Sequence, residues 1–164
     1  MFCPRTTYDN NIVKSISDTD TKDIWVLGWY LANQCGGTDN NNADCWVGKL
    51  SPYGDMVFWR TFGRSSNADD KCSDMDISLD NYLYIVGDSY MTADRDVVIY
   101  KISSLTGGYS YGRSWGSSSA YNNYGRGLRI SPDGASIYVL GTTNGGITNP
   151  IISTVENIVL FKMS

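Results

Sequence analysis

Residues 67–76, Asn-Ala-Asp-Asp-Lys-Cys-Ser-Asp-Met-Asp, hold the densest set of carboxylates in the chain, with Asp69, Asp70 and Asp74 at its centre. Two carboxylates at a fixed separation can act as general acid and base on a glycoside. The same oxygens suit Ca²⁺. A solvated turn carries as many acids and does no chemistry, and that plain reading is preferred. A second stretch, Asp18-Thr-Asp20-Thr-Lys-Asp23, begins like a calcium loop but lacks its Gly and closing Glu, so it reads as a hairpin turn. The chain has no histidine, which removes Ser-His-Asp and Cys-His nucleophilic sites. Its glycines follow strand-like runs and open no helix, so no phosphate-cradling loop is present. These residues point away from an enzyme.

The cysteines are Cys3, Cys35, Cys45 and Cys72, with no C-x-x-C spacing to support a zinc site. Cys35 and Cys45 bracket a polar loop and are the predicted disulfide pair, which favours an oxidising, extracellular or cell-surface setting. Cys3 and Cys72 are left to pair or stay free. Tyr53, Tyr90, Tyr121 and Tyr124 fall in loops or at strand ends, where rings can stack on a glycan or a protein partner. Trp25, Trp46, Trp59 and Trp115 sit in strand-like runs and are expected in the core. A net charge of −4 argues against a nucleic-acid partner. No apolar stretch approaches the roughly 20 residues of a membrane span. Met1-Phe-Cys-Pro-Arg5 lacks the apolar core of a secretory signal. No cofactor is implied, Ca²⁺ being the one candidate.

Abundant glycine and aromatic residues, with no helical periodicity, place these residues on β-strands. The strands repeat. Met56-Val-Phe-Trp-Arg60-Thr-Phe-Gly63 recurs as Tyr109-Ser-Tyr-Gly-Arg113-Ser-Trp-Gly116 and more faintly as Met1-Phe-Cys-Pro-Arg5-Thr-Thr-Tyr8. Runs ending in Ile-Ser follow at residues 13–17, 74–78 and 127–131. Next come Ile24-Trp-Val-Leu-Gly28, Tyr82-Leu-Tyr-Ile-Val-Gly87 and Ile137-Tyr-Val-Leu-Gly141, apolar on both alternating faces and so expected to be covered on both sides. Each unit closes with Trp46-Val-Gly-Lys49-Leu-Ser51, Val98-Ile-Tyr-Lys101-Ile-Ser103 or Val159-Leu-Phe-Lys162-Met-Ser164. The repeated lysines lie beside an expected edge strand and read as solubility devices. The chain is therefore expected to be one all-β domain, residues 1–164, of three four-stranded repeats: about 1–55, 56–108 and 109–164.

The pattern resembles the bacterial-type β-propeller repeats that run D-x-W-V-x-K-L, then G-x-x-x-W-x-x-x-F/Y-G, then an acidic stretch and D-G-x-x-Y-V-x-G. The resemblance is clearest over residues 44–88 and returns at 96–141. It implies propeller blades in which the Arg-bearing strand is outermost. A threefold β-trefoil or β-prism is the alternative fold. Propellers commonly have four to eight blades, and three are encoded here. The last repeat lacks its outer strand, whose counterpart is Met1, Phe2, Cys3, Pro4, Arg5, Thr6 and Thr7. With Val159, Leu160, Phe161, Lys162 and Met163, these form the expected strand-exchange contact, made in cis or with another copy. The expected role is a non-catalytic extracellular protein that self-assembles into an oligomer or filament. The alternative is a carbohydrate-binding module, and an excised piece of a longer propeller is a further reading.

Overall fold

The structure is a computed structural model that describes residues 11–18, 21–31, 43–63, 69–90, 94–116, 121–145 and 157–163. The described residues form eleven strands and no helix. They are β1 (Asn11–Ser17), β2 (Ile24–Leu31), β3 (Ala43–Leu50), β4 (Met56–Phe62), β5 (Asp70–Ile77), β6 (Tyr82–Tyr90), β7 (Arg95–Ser103), β8 (Tyr109–Trp115), β9 (Asn123–Ile130), β10 (Ile137–Thr143) and β11 (Asn157–Met163). The all-β class expected from the sequence is what the chain adopts. The strands make three sheets, ordered β1-β2-β3-β4, β5-β6-β7-β8 and β9-β10-β11. Arg60 and Arg113 lie on β4 and β8, the outer strands of the first and second sheets.

Turn chemistry sets these hairpins. In the turn after β3, Gly54 takes φ +88°, and the Ser51 hydroxyl accepts the Tyr53 and Asp55 N–H groups at 3.2 and 3.1 Å. After β9, Gly134 takes φ +71° and Ser131 Oγ accepts the Ser136 N–H at 2.9 Å. After β5, Asn81 supplies the positive φ and Ser78 Oγ accepts the Tyr82 N–H at 3.2 Å. The repeated serines thus close tight turns by side-chain-to-backbone bonding. Such a turn pairs β4 with β3, so Met56–Phe62, the expected start of a second repeat, completes the first sheet. The expected boundaries near 55 and 108 therefore fall within sheets.

Contacts group the chain into two compact units, residues 1–72 and 73–164, where sequence length suggested a single domain. In the second unit, the second and third sheets pack face to face. Tyr84, Val86, Val97 and Ile99 of β6 and β7 form one core with Leu128 and Val139 of β9 and β10. Trp115 stacks on Phe161 at 6.1 Å between ring centroids. The sheets meet tightly at Gly125, where a Cβ would lie 2.4 Å from the Gly87 carbonyl oxygen. Carboxylates from β5 close the inner edge of the third sheet. Asp74 Oδ2 accepts the Leu128 N–H at 2.9 Å, and Asp76 Oδ2 accepts the Ile130 N–H at 3.0 Å.

In the first unit, Trp25, Leu27, Cys45 and Val47 are fully buried. Trp46 stacks on Trp59 at 4.4 Å, and Phe58 meets Trp25 edge-on at 5.4 Å. The disulfide joins Cys45 to Cys72, not Cys45 to Cys35. The fold, not closeness in sequence, set the partner: the start of β5 comes within disulfide reach of β3, with the two Cα atoms 5.5 Å apart. Cys35 and residues 1–7 fall outside the described residues.

The disulfide spans 27 positions, so its removal frees a loop whose closure entropy corresponds to about 3–4 kcal/mol. The double variant Cys45→Ala/Cys72→Ala should lose about that much unfolding free energy in urea, and non-reducing peptide mapping of the parent should recover the 45–72 peptide pair. Recovery of a 35–45 pair would refute the assignment.

Candidate functional site

The acidic residues between Asp69 and Asp76 are taken apart by the fold. Asp69 accepts the Ala43 N–H at 3.0 Å and caps the start of β3. Asn122 does the same for the Arg95 N–H of β7, in the matching repeat column. Asp74 is engaged with Leu128 and with the Arg129 guanidinium at 3.1 Å. Asp70 is fully buried, and on an extended strand it stands about 13 Å from Asp74. The calcium candidates Asp69, Asp70 and Asp74 therefore do not converge. Among the described residues, no group of three or more acidic, Cys or His side chains is placed to hold a metal. The sequence missed this capping role, although the shared column of Asp69 and Asn122 was its available sign.

Asp44 and Asp70 do approach one another. Both present oxygens to Gly63, where a Cβ would lie 2.7 Å from Asp44 Oδ1 and 2.8 Å from Asp70 Oδ2. Burial, and then the negative charge of Asp70, raises the Asp44 carboxyl above the ordinary carboxylate value. The same columns in the second repeat carry Asp96 and Asn123, one acid and one amide. The first unit thus holds a repulsive pair whose counterpart in the second repeat has only one acid.

Two of the three repeated lysines, Lys49 and Lys101, are not the exposed solubility devices expected. Lys49 is only 8 % exposed, ion-paired to Asp23 at 2.8 Å and set 5.3 Å from the Trp25 ring centroid. Lys101 lies 3.8 Å from the Tyr82 ring and 3.7 Å from Asp80. Lys162 is exposed, 5.9 Å from the Tyr138 ring. Each caps the aromatic one strand inward, a cation–π arrangement. The hydrogen bond from Lys49 holds the Asp23 carboxyl below its ordinary value.

The candidate ligand tyrosines differ in their exposure. Tyr53 projects from its turn, 91 % exposed. Tyr90 is exposed at the end of β6, Tyr121 is half-buried with its ring beneath Gly145, and Arg126 lies 4.7 Å over the Tyr124 ring.

What stands out is the third sheet. Among the described residues, β11 pairs with β10 alone, whereas its counterparts β3 and β7 also pair with β4 and β8. Val159, Leu160, Phe161, Lys162 and Met163 lie along this strand. Cross-strand register puts Leu140 opposite Leu160, and Tyr138 opposite Lys162, on one face. That face is uncovered. Tyr138, Leu140, Ile158 and Leu160 are 38, 44, 78 and 68 % exposed, while their column counterparts Tyr84, Val86, Val97 and Ile99 are buried. Sequence reasoning placed Leu160 in the repeat columns, and Ile158 lies one residue before that aligned block.

No protein-family model matches the chain, and none of the curated proteins matches it.

The Asp44 shift fixes the sign of one pH effect. An acid with a raised folded-state value makes folding less favourable once ionised, and this penalty is relieved as pH falls through that value. Asp44→Asn should therefore raise the melting temperature at pH 7, with the gain shrinking as pH is lowered toward 4. Thermal melts of both proteins across that range check it, and an equal gain at every pH would contradict the carboxylate origin.

Proposed function

We propose that this chain is a non-catalytic structural and interaction protein, extracellular or on the cell surface, that assembles with copies of itself by β-strand exchange. The observation that carries this reading is the β11 edge. Two sister sheets have a fourth strand at that position, and the third sheet has none among the described residues. An unpaired strand edge offers a row of N–H and C=O groups to any incoming strand, a common means of association. Residues 1–7 carry Arg5 in register with Arg60 and Arg113 of the outer strands, so they are the natural donor. Three up-and-down antiparallel sheets support a relation to propeller blades. The Cys45–Cys72 disulfide supports an oxidising setting. No helix among the described residues is long and apolar enough to cross a membrane.

Exchange between copies produces closed oligomers or filaments according to whether the relation closes. Deleting residues 1–7 should yield smaller particles by light scattering at equal concentration, and adding the heptapeptide in excess should cap the parent and reduce its size. Unchanged particle size in both experiments would overturn the proposal.

A further inference from the structure

We infer that the uncovered face of the third sheet docks a second copy of this chain, and that the surface it receives is the Ile24–Val26 side of that copy's first sheet. The inference rests on the self-association reading and names the surfaces that meet.

The chain contains a template for this junction. Where the second sheet packs on the third, one side is Tyr84, Val86, Val97 and Ile99, and the other is centred on Leu128 and Val139 with Ile130 and Ile137. Every sheet carries both sides, because successive residues of a strand point to opposite faces. The third sheet's copy of the first side is Tyr138, Leu140, Ile158 and Leu160. It is apolar and exposed. Its complement must be a copy of the second side that is still accessible.

The repeat columns identify one. In the second sheet, Met75, Ile85 and Leu83 occupy the columns of Leu128, Val139 and Ile137, and all three are fully buried. In the first sheet the same side holds Ile16, Ile24 and Val26, with Lys14 in the Leu128 column, and all four are only half-buried. Ile158 and Leu160, which such a side would cover, are themselves exposed. A second copy can supply it, in the same relation that the third sheet already has to the second. The match is between two different surfaces, so the junction is head-to-tail and leaves each new copy with one free side. An apolar patch with a polar rim and an internal precedent for its cover marks a protein contact.

The test uses two single variants of the full chain, Leu160→Lys on the receiving face and Val26→Lys on the docking face, followed by analytical ultracentrifugation. Each alone should sediment as a monomer where the parent forms larger species. An equimolar mixture should form a one-to-one dimer and nothing larger, because only one intact junction can be made. Near-UV circular dichroism confirms folding, and Leu160→Thr with Val26→Thr replaces the pair if either lysine variant loses its signal. A monomeric parent, a Val26 variant that assembles like the parent, or a mixture that stays monomeric would each overturn the inference. The second of these results identifies the face as pairing with itself or with another surface.

The same experiment on chains lacking residues 1–7 separates the two proposals. If those chains still assemble and still complement, the docking face stands and strand exchange fails. If they become monomeric while both lysine variants keep the parent size, strand exchange stands and the docking face fails.

Discussion

A sheet whose strands are apolar at successive positions needs cover on both faces, and this requirement organises the molecule. The strands Ile24–Leu31, Tyr82–Tyr90 and Ile137–Thr143 are of this kind. Alternation sends half of each strand's apolar side chains to either face, so burial of one face leaves the other to be covered by something else. In the second unit, the answer on one side is another sheet, drawn close enough that Gly125 meets the Gly87 backbone. Leu140 and Leu160, both exposed, show what remains where a face lacks such cover.

Carboxylates and lysines here do mostly architectural work. Asp69, Asp74 and Asp76 accept backbone N–H groups that no strand supplies a partner for, which satisfies donors that would otherwise be costly to bury. Lys49 and Lys101 lay their charge against an aromatic ring and an aspartate of the preceding hairpin. Each lysine thereby ties the third strand of its sheet to the second strand and to the turn that precedes it. The Asp44–Asp70 pair belongs to the same architecture, and the raised Asp44 carboxyl bears on folding stability.

Much of the fold was legible because it is written locally. Strand type, turn position and strand order follow from two-residue alternation and from serine, glycine and asparagine at fixed offsets, all visible without coordinates. The disulfide was not legible, since Cys35 is near Cys45 in sequence while Cys72 reaches it only through the placement of β5. Lys49 misled for a related reason: its partner Asp23 lies across a hairpin, and a lysine's burial depends on where its head group ends. The calcium reading of Asp69, Asp70 and Asp74 failed because a strand spreads residues that a loop would gather. For the uncovered face, the repeat alignment marked the columns, but only comparison of exposure between sheets showed which copy was left open.

The Cys45–Cys72 bond has a mechanical side. It ties β3 to the start of β5, so a pull applied along the chain passes through the sulfurs and bypasses everything between them. Residues 46–71, including all of β4, then contribute no length to an extended first unit. At about 3.4 Å per residue, the bond withholds about 90 Å of slack. Under tension, the oxidised chain is a short tether and the reduced chain a long one.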